Sequence, residues 1–281
     1  MNPYATKDGV SLGYNVYFRE TDYGEFNVAN YLTNSNGFGA QFGYPTSDIT
    51  RLGFNVTYDK TDIDVGTLPA LEIYDFVSAE GNIFETLSVQ FSWQRVTLNR
   101  GLFPTAGSST VISLSTTVPG SDLSYYRSSI RQRYYRPLSS NFVFGFSGEL
   151  GYLDAYGETE ETPFFQNFYA GGPRSLRGFE SNTLGPRSTD APCYEFNYEE
   201  KTCPNLIDTD GDGELDSPYI NPYANSTSRY RDRPIGGNIK VEGSMQLIFK
   251  LPFIEDQRSL RSAFFFDFGN VFSDNCKDYQ I

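Results

Sequence analysis

The stretch VSLGYNVYF, residues 10–18, alternates apolar and mostly polar side chains, and this alternation decides the fold class. Its apolar members are Val10, Leu12, Tyr14, Val16 and Phe18. A period of two places such a set on one face of a β-strand and the intervening residues on the other. The stretch therefore predicts a strand with one apolar face and one mixed, mostly polar face.

The same alternation recurs in eight further segments of the chain. They lie near residues 38–44, 51–59, 87–94, 109–118, 124–136, 141–153, 236–251 and 260–273. Nearly all of the regular pattern in the chain has a period of two. The sequence therefore predicts an all-β, antiparallel fold of nine strands.

The lengths of the strands and of their connections indicate which antiparallel fold this is. Several predicted strands reach roughly twelve residues, longer than the 5–6 common in soluble sheets and long enough to cross a tilted bilayer. The connections alternate between short turns and long segments, with 119–122 as the exception. The short ones are 45–48, 103–108, 137–140 and 252–257, and the long ones are 21–35, 61–82 and 154–235. This is the pattern of an outer-membrane β-barrel, and a soluble antiparallel sandwich is the alternative.

Composition excludes several classes of function. The chain contains no histidine, which rules out histidine metal sites and Ser-His-Asp triads. Its carboxylates are scattered without a paired acid and base, so we expect no enzymatic activity and no required cofactor. The net charge of −13 gives no indication of a nucleic-acid partner. NPYATKDG, which follows Met1, has no signal-peptide character, so the chain is either cytosolic or a piece of a longer protein.

The parity of each strand predicts which side chains face the inside of a barrel. A carboxylate that faced lipid would be costly at mid-bilayer, so charged residues are expected to face the lumen. Asp267 lies on the face opposite Phe264, Phe266 and Phe268, and is therefore predicted to point inward. The same argument predicts two further inward sets, Arg127, Ser129, Arg131 and Arg133 on one strand, and Gly145, Ser147, Glu149 and Gly151 on the next.

Four ordered blocks resemble the barrel domain of a known family. LRGF (176–179), which follows FYAGG (168–172) and precedes SNTLGP (181–186), resembles the Val-Arg-Gly-Phe signature of the BamA family of outer-membrane assembly and transport proteins. That superfamily also contains TamA and the two-partner-secretion transporters. Three other blocks match in order, namely NRGLFPTAGS (99–108), PGSD before YY (119–126) and FFFDFG (264–269). The resemblance covers essentially the whole chain.

The resemblance implies an insertase that folds β-barrel proteins into the bacterial outer membrane. The family's barrel has sixteen strands and follows periplasmic POTRA domains. NPYATKDG resembles the turn into the fifth strand, and residue 281 lies just beyond the thirteenth, so residues 1–281 are expected to form a partial barrel with nine of the sixteen strands. On this reading the POTRA domains and the first and last strands are absent, and 154–235 is a long extracellular loop.

The resemblance also implies partners, although it leaves a second function open. The implied partners are nascent barrel proteins, outer-membrane lipids with lipopolysaccharide, and assembly-complex lipoproteins that bind through the absent POTRA domains. The alternative function is an outer-membrane conduit, such as a two-partner-secretion transporter or a porin. The two differ most in what precedes the barrel, since the number of POTRA domains distinguishes these classes.

Site residues follow from the same resemblance. The motif loop consists of Leu176, Arg177, Gly178 and Phe179. In the family this loop folds into the barrel, and its arginine reaches an inward aspartate of the thirteenth strand, which corresponds here to Asp267. A glutamate that assists on the twelfth strand corresponds to Gln246. The alternative is an arginine that is solvated at the surface.

The long loop at 154–235 is rich in Asp and Glu and carries two further candidate features. Cys193 and Cys203 have the spacing of a loop disulfide in the BamA family, so the resemblance implies a disulfide between them here. A disulfide requires an oxidising location. A metal site at these two cysteines is the weaker alternative. DTDGDGELD (208–216) matches the beginning of a calcium loop but lacks its final glutamate. A calcium site and a merely acidic turn both remain open. The candidate oxygen ligands are Asp208, Asp210, Asp212, Glu214 and Asp216.

If the acidic segment binds calcium, a disulfide-closed loop peptide should bind the ion in titration calorimetry. Asp210→Ala should abolish this binding because it removes one of the alternating carboxylates. Asp190→Ala, which lies outside the nine-residue match, should leave the binding unchanged. An absence of binding at millimolar calcium would leave an acidic turn.

Overall fold

A computed structural model of the chain describes residues 6, 9–26, 28–29, 31–65, 70–189, 233–251 and 260–274. Nine strands form one sheet in which every strand pairs antiparallel with its neighbours in sequence. The strands are β1 (Ser11–Asp22), β2 (Leu32–Ser47), β3 (Thr50–Asp64), β4 (Ile83–Val96), β5 (Gly107–Thr117), β6 (Tyr125–Pro137), β7 (Phe142–Ala155), β8 (Ile239–Phe249) and β9 (Ser262–Phe272). The predicted all-β antiparallel fold with nine strands is confirmed.

The register aligns the apolar alternation of all nine strands on one face, which we call the outer face. Val16 of β1 lies opposite Phe38 of β2, which lies opposite Tyr58 of β3. These apolar side chains are exposed rather than buried, with 82% of Phe18 and 70% of Phe264 accessible. A soluble sandwich would bury such a face, so the exposure favours the barrel over that alternative.

The first connection is shorter than its sequence predicts. β2 begins at Leu32, so β1 and β2 are joined by residues 23–31, which include a 3-10 helix (Tyr23–Phe26), and not by 21–35. The prediction was wrong because Asn34, Ser35 and Asn36 show no apolar alternation, although their backbones pair with both β1 and β3. Backbone pairing in the sheet does not depend on the character of the side chain.

The second connection contains a helix that the sequence analysis placed in a loop. Helix α1 (Leu71–Glu80) buries Leu71, Ile73 and Phe76, and ends at Gly81, whose N–H donates to the Val77 carbonyl oxygen. Gly81 has a φ of +94°, a conformation in which glycine is favoured. The signal that could have predicted α1 is the three-and-four spacing of Ile73, Phe76 and Val77 before a glycine.

The long connection between β7 and β8 spans residues 156–238, slightly later than the predicted 154–235. Its described parts lie against the polar face of the sheet, which we call the inner face. Isolated bridges join Phe168 to Gly237 and Ala170 to Leu184. Its extracellular position remains a prediction.

Two buried apolar clusters form beneath the connections. The first joins α1, the first connection and the long connection, and includes Phe76, Phe84 and Phe164. The second, which we call the inner cluster, consists of Leu153, Phe168, Ala170, Leu176 and Val271. No helix within the described ranges has the length and hydropathy needed to span a membrane.

The two terminal strands of the sheet, β1 and β9, each have one edge without a partner strand among the described residues. Unpaired edges invite aggregation and non-native pairing. The 281-residue chain, expressed alone and refolded in detergent, should therefore fail to give a heat-modifiable monomer on gel electrophoresis. The full-length protein treated in parallel is the control. A stable, protease-resistant monomer of the short chain would contradict this expectation.

Candidate functional site

Three consecutive residues of the long connection, Ser175, Leu176 and Arg177, point at the inner face, and we call them the docking tripeptide. The backbone doubles back around them, with φ of +110° at Gly171, +96° at Gly172 and +93° at Gly178. The Ser175 N–H donates to the Gly172 carbonyl oxygen at 3.1 Å. These positive φ values favour glycine, so the local sequence allows the tight turn that presents the tripeptide.

Arg177 makes a bidentate contact with Asp267 of β9. Its Nε donates to Asp267 Oδ2 at 2.7 Å and its Nη2 donates to Asp267 Oδ1 at 2.6 Å. The Arg177 backbone N–H also donates to Asp267 Oδ2, at 3.0 Å. Charge-assisted, bidentate bonds of this kind are among the strongest side-chain contacts in proteins. The structure thus brings together the two residues that the sequence analysis had paired.

The surroundings of this ion pair restrict access to water. The Asp267 side chain is 5% exposed and the Arg177 side chain is 29% exposed. The Arg177 guanidinium carbon lies 3.5 Å from the centroid of the Phe265 ring, a cation–π contact. Arg177 is therefore not the solvated surface arginine of the alternative reading. Sequence reasoning missed Phe265, although parity with Asp267 could have placed it on the inner face.

The partner of Arg177 on β8 is Ser244 rather than Gln246. Arg177 Nη2 donates to Ser244 Oγ at 2.8 Å, while Gln246 Nε2 donates to the same oxygen at 3.4 Å. The cause is register, because Ser244 lies directly opposite Asp267, whereas Gln246 lies opposite Phe265. Gln246 therefore reaches the ion pair through Ser244. Ser244 has the same strand parity as Gln246, and this could have placed Ser244 on the inner face from the sequence.

The other residues of the motif loop make different contributions. Leu176 is 3% exposed and packs in the inner cluster. A Cβ at Gly178 would have no other atom within 4 Å, so space does not require glycine there. The positive φ of +93° is what favours glycine. Phe179 is 53% exposed, and its carbonyl oxygen accepts a bond from the Gly172 N–H. Phe179 thus contributes through its backbone.

Ser175 contacts a second group of charged residues on the inner face. Its Oγ accepts a bond from the Gly171 N–H at 3.1 Å and donates to Glu242 Oε2 at 2.5 Å. Glu242 belongs to what we call the charge cluster, four side chains from three adjacent strands. The members of the charge cluster are Arg131 of β6, Glu149 of β7, and Lys240 and Glu242 of β8. The sequence analysis did not identify Ser175, Lys240 or Glu242 as site residues.

Aromatic side chains attach further described parts of the long connection. The Arg127 guanidinium lies 4.2 Å from the centroid of the Phe168 ring, which packs over Gly151 so closely that a Cβ there would be 2.6 Å from the ring. Tyr169 donates from its hydroxyl to the Ile235 carbonyl oxygen at 3.2 Å. Burial raises the pKa of the Tyr31 and Tyr169 hydroxyls well above the ordinary range.

Two sets of predicted site residues lie outside the described residues. These are the cysteines Cys193 and Cys203, and the candidate calcium ligands Asp208, Asp210, Asp212, Glu214 and Asp216. The disulfide and the calcium site therefore remain predictions. Within the described ranges, no group of three or more Cys, Asp or Glu side chains has an arrangement that could hold a metal ion.

Comparison with known proteins gives consistent results along the chain. Residues 1–280 match the sequence model of the Omp85 superfamily domain. The outer membrane protein assembly factor BamA of Neisseria meningitidis serogroup B is 30% identical over 287 residues, covering 99% of this chain and 31% of that protein. A SAM50-like protein of Drosophila melanogaster is 25% identical over 175 residues, covering 62% of this chain and 39% of that protein.

A solved structure extends the likeness to the fold. The crystal structure of BamA from Haemophilus ducreyi lacking POTRA domains 1–3 matches with a TM-score of 0.77 and 28% identity, over 97% of this chain and 48% of that one. The predicted partial barrel is thereby confirmed. The chain spans between about a third and a half of the length of these relatives.

Replacing Arg177 by lysine should loosen the docking tripeptide while keeping its charge. Lysine is a point donor and cannot bond both Asp267 oxygens and Ser244 in one plane. We expect the free energy of docking of the loop to weaken by about 1–2 kcal/mol. The measurement is hydrogen exchange in residues 168–185 of the full-length protein, which should become faster. Arg174→Lys, an exposed arginine in the same loop, is the matched control. Equal exchange rates in the two variants would contradict the importance of the bidentate contact.

Proposed function

Since this chain belongs to the Omp85 superfamily, we propose that the protein containing it folds nascent β-barrel proteins and inserts them into the bacterial outer membrane. One observation carries the proposal: Arg177 attaches the long connection to Asp267 of β9 and Ser244 of β8, in a chain 30% identical over nearly its full length to an assembly factor. The name of the Neisseria relative, an outer membrane protein assembly factor, supports assembly over a passive conduit.

The location is the bacterial outer membrane. An exposed apolar outer face and a polar inner face are the arrangement that a barrel needs between lipid and an aqueous lumen. Lipids and lipopolysaccharide would contact the outer face, where Phe264 and Phe266 are exposed. The assembly-complex lipoproteins would bind to POTRA domains elsewhere in the full-length protein.

The proposed activity is not enzymatic. It breaks no covalent bond and requires no cofactor, and it consists in lowering the barrier to the pairing of client strands. Within this chain, Arg177, Asp267 and Ser244 would hold the long connection against the β8–β9 wall. An attached loop restricts the motion of that wall and occupies the inner space beside it. Client strands would then pair at strands outside this chain.

Arg177→Glu tests the proposal in cells that depend on the full-length variant. The substitution replaces a contact worth about 1.5–3 kcal/mol with repulsion between two adjacent carboxylates. Because this repulsion acts in addition to the lost contact, the loop should detach and client barrels should fail to assemble. Adding Asp267→Arg restores opposite charges and should recover part of the assembly. The readout is the amount of folded, heat-modifiable client barrel in the outer membrane.

The control is Arg174→Glu, which changes an exposed arginine of the same loop and should assemble clients normally. Full client assembly in Arg177→Glu would overturn the proposal. If Arg177→Glu left client assembly normal but abolished the export of a passenger protein, the conduit function would be favoured over assembly.

A further inference from the structure

Two carboxylates face each other on adjacent strands beneath the long connection. Glu149 of β7 and Glu242 of β8 are directly opposite in the register, and their side chains are 13% and 15% exposed. Like charges that lie directly opposite in a sheet repel each other, and burial strengthens the repulsion. This pair is stable only if cations compensate it.

Two cations provide that compensation. Lys240 Nζ lies 3.3 Å from Glu242 Oε2 and 3.5 Å from Glu149 Oε2, and its side chain is 12% exposed. Arg131 Nη2 lies 2.9 Å from Glu149 Oε1. The charge cluster therefore has two positive and two negative members and is neutral as a whole. Lys240 bridges the two carboxylates; Glu149 is also paired with Arg131, whereas the ion pair of Glu242 is with Lys240.

The loop adds a hydrogen bond to this cluster. The Ser175 hydroxyl oxygen accepts a hydrogen bond from the Gly171 N–H. This bond orients the hydroxyl so that its own proton is directed to Glu242 Oε2. Gly269, which lies opposite Glu242 on β9, has a φ of +143°. A Cβ at position 269 would lie 2.6 Å from Glu242 Cα and 2.3 Å from the Val241 carbonyl oxygen, so the sheet admits no side chain there.

We propose that Ser175 and Glu242 form a second attachment of the loop, which depends on charge and is separate from the Arg177–Asp267 pair. Ser175 is a positioning residue, and Lys240 Nζ, 3.3 Å from Glu242 Oε2, holds the Glu242 side chain in place to accept its bond. The two attachments flank Leu176, which is buried in the inner cluster. The loop is thus held at three successive residues, so the loss of one polar contact leaves it docked. The role of this attachment in client assembly rests on the proposed function.

Lys240→Met in the full-length protein is the first test. The substitution leaves two facing carboxylates, and hydrogen exchange in residues 168–185 should become about tenfold faster, the size expected when one hydrogen bond to a charged group is lost. Adding Glu149→Gln removes the repulsion and should restore slow exchange. Rescue by the removal of a charge is a result that a purely packing role for Lys240 would not give.

The matched control is Lys60→Met, which breaks the Lys60–Glu85 ion pair. That pair is also a cross-strand contact, but its side chains are 47% and 48% exposed. Exposed pairs contribute little to stability, so exchange in the loop should not change. Unchanged exchange in Lys240→Met, or no rescue by Glu149→Gln, would overturn the second attachment.

Ser175→Ala and Glu242→Met give a test that does not depend on the folding of Lys240→Met. Each should accelerate exchange by a similar factor, and the double variant should be no faster than either one alone, because both remove the same bond. Ser175→Ala combined with Arg177→Lys should instead multiply the two effects. If the two acceleration factors multiplied in the double variant at Ser175 and Glu242, the proposed bond between these residues would be overturned.

Client assembly separates this inference from the proposed function. Client assembly should be reduced more in Ser175→Ala with Arg177→Lys than in Arg177→Lys alone. If exchange responds as expected in all variants while the double variant assembles clients normally, the attachment stands and the role of the loop in assembly fails. If exchange does not respond, the attachment fails whatever the assembly result.

Discussion

Strict alternation of apolar and polar side chains across nine antiparallel strands is the constraint on which the rest of the structure depends. Each strand must present its apolar set on the same face, and a shift of one residue in any register would place apolar groups in the lumen. The observed register keeps rows such as Val16, Phe38 and Tyr58 continuous. The inner face is consequently polar, and both the Arg177–Asp267 pair and the charge cluster lie on it.

A polar inner face makes the attachment of a long loop possible. The loop could not be held by an apolar surface alone, because only Leu176 of the docking tripeptide is apolar. Asp267 and Glu242 instead supply carboxylates that the loop's own donors satisfy. Glycines on both sides of the tripeptide bend the backbone so that these donors reach β8 and β9. The chain thus combines a rigid wall with a loop that is positioned by hydrogen bonds to charged groups.

The inner contacts also explain why glycine and serine occur so often on the strands that bear the loop. Gly151 leaves room for the Phe168 ring, and Gly269 is required by the approach of the β8 backbone. Ser244 is small enough to lie between Arg177 and Gln246 and to bond both. Larger residues at Gly151 or Ser244 would push the long connection away from the sheet, and a side chain at Gly269 would collide with β8. Packing of the loop therefore depends on small residues as much as on charge.

The sequence by itself determined the strand number, the antiparallel order and the face of each side chain, because a period of two is a local property. Asp267 was placed on the inner face by parity alone, and its pairing with Arg177 followed from the resemblance of LRGF and FFFDFG to a known family. These inferences need no knowledge of how far one strand is shifted against the next. Local alternation and short motifs are sufficient for them.

The tertiary structure alone decided which inward residues meet. Parity places Ser244 and Gln246 on the same face, but only the β8–β9 register sets Ser244 opposite Asp267. The charge cluster likewise requires the register of three strands, and Ser175 reaches it only after the loop has folded back. The early start of β2 was missed because backbone pairing there acts without a local apolar period. Register and loop docking are set by hydrogen bonds between residues distant in sequence, and no local pattern contains that information.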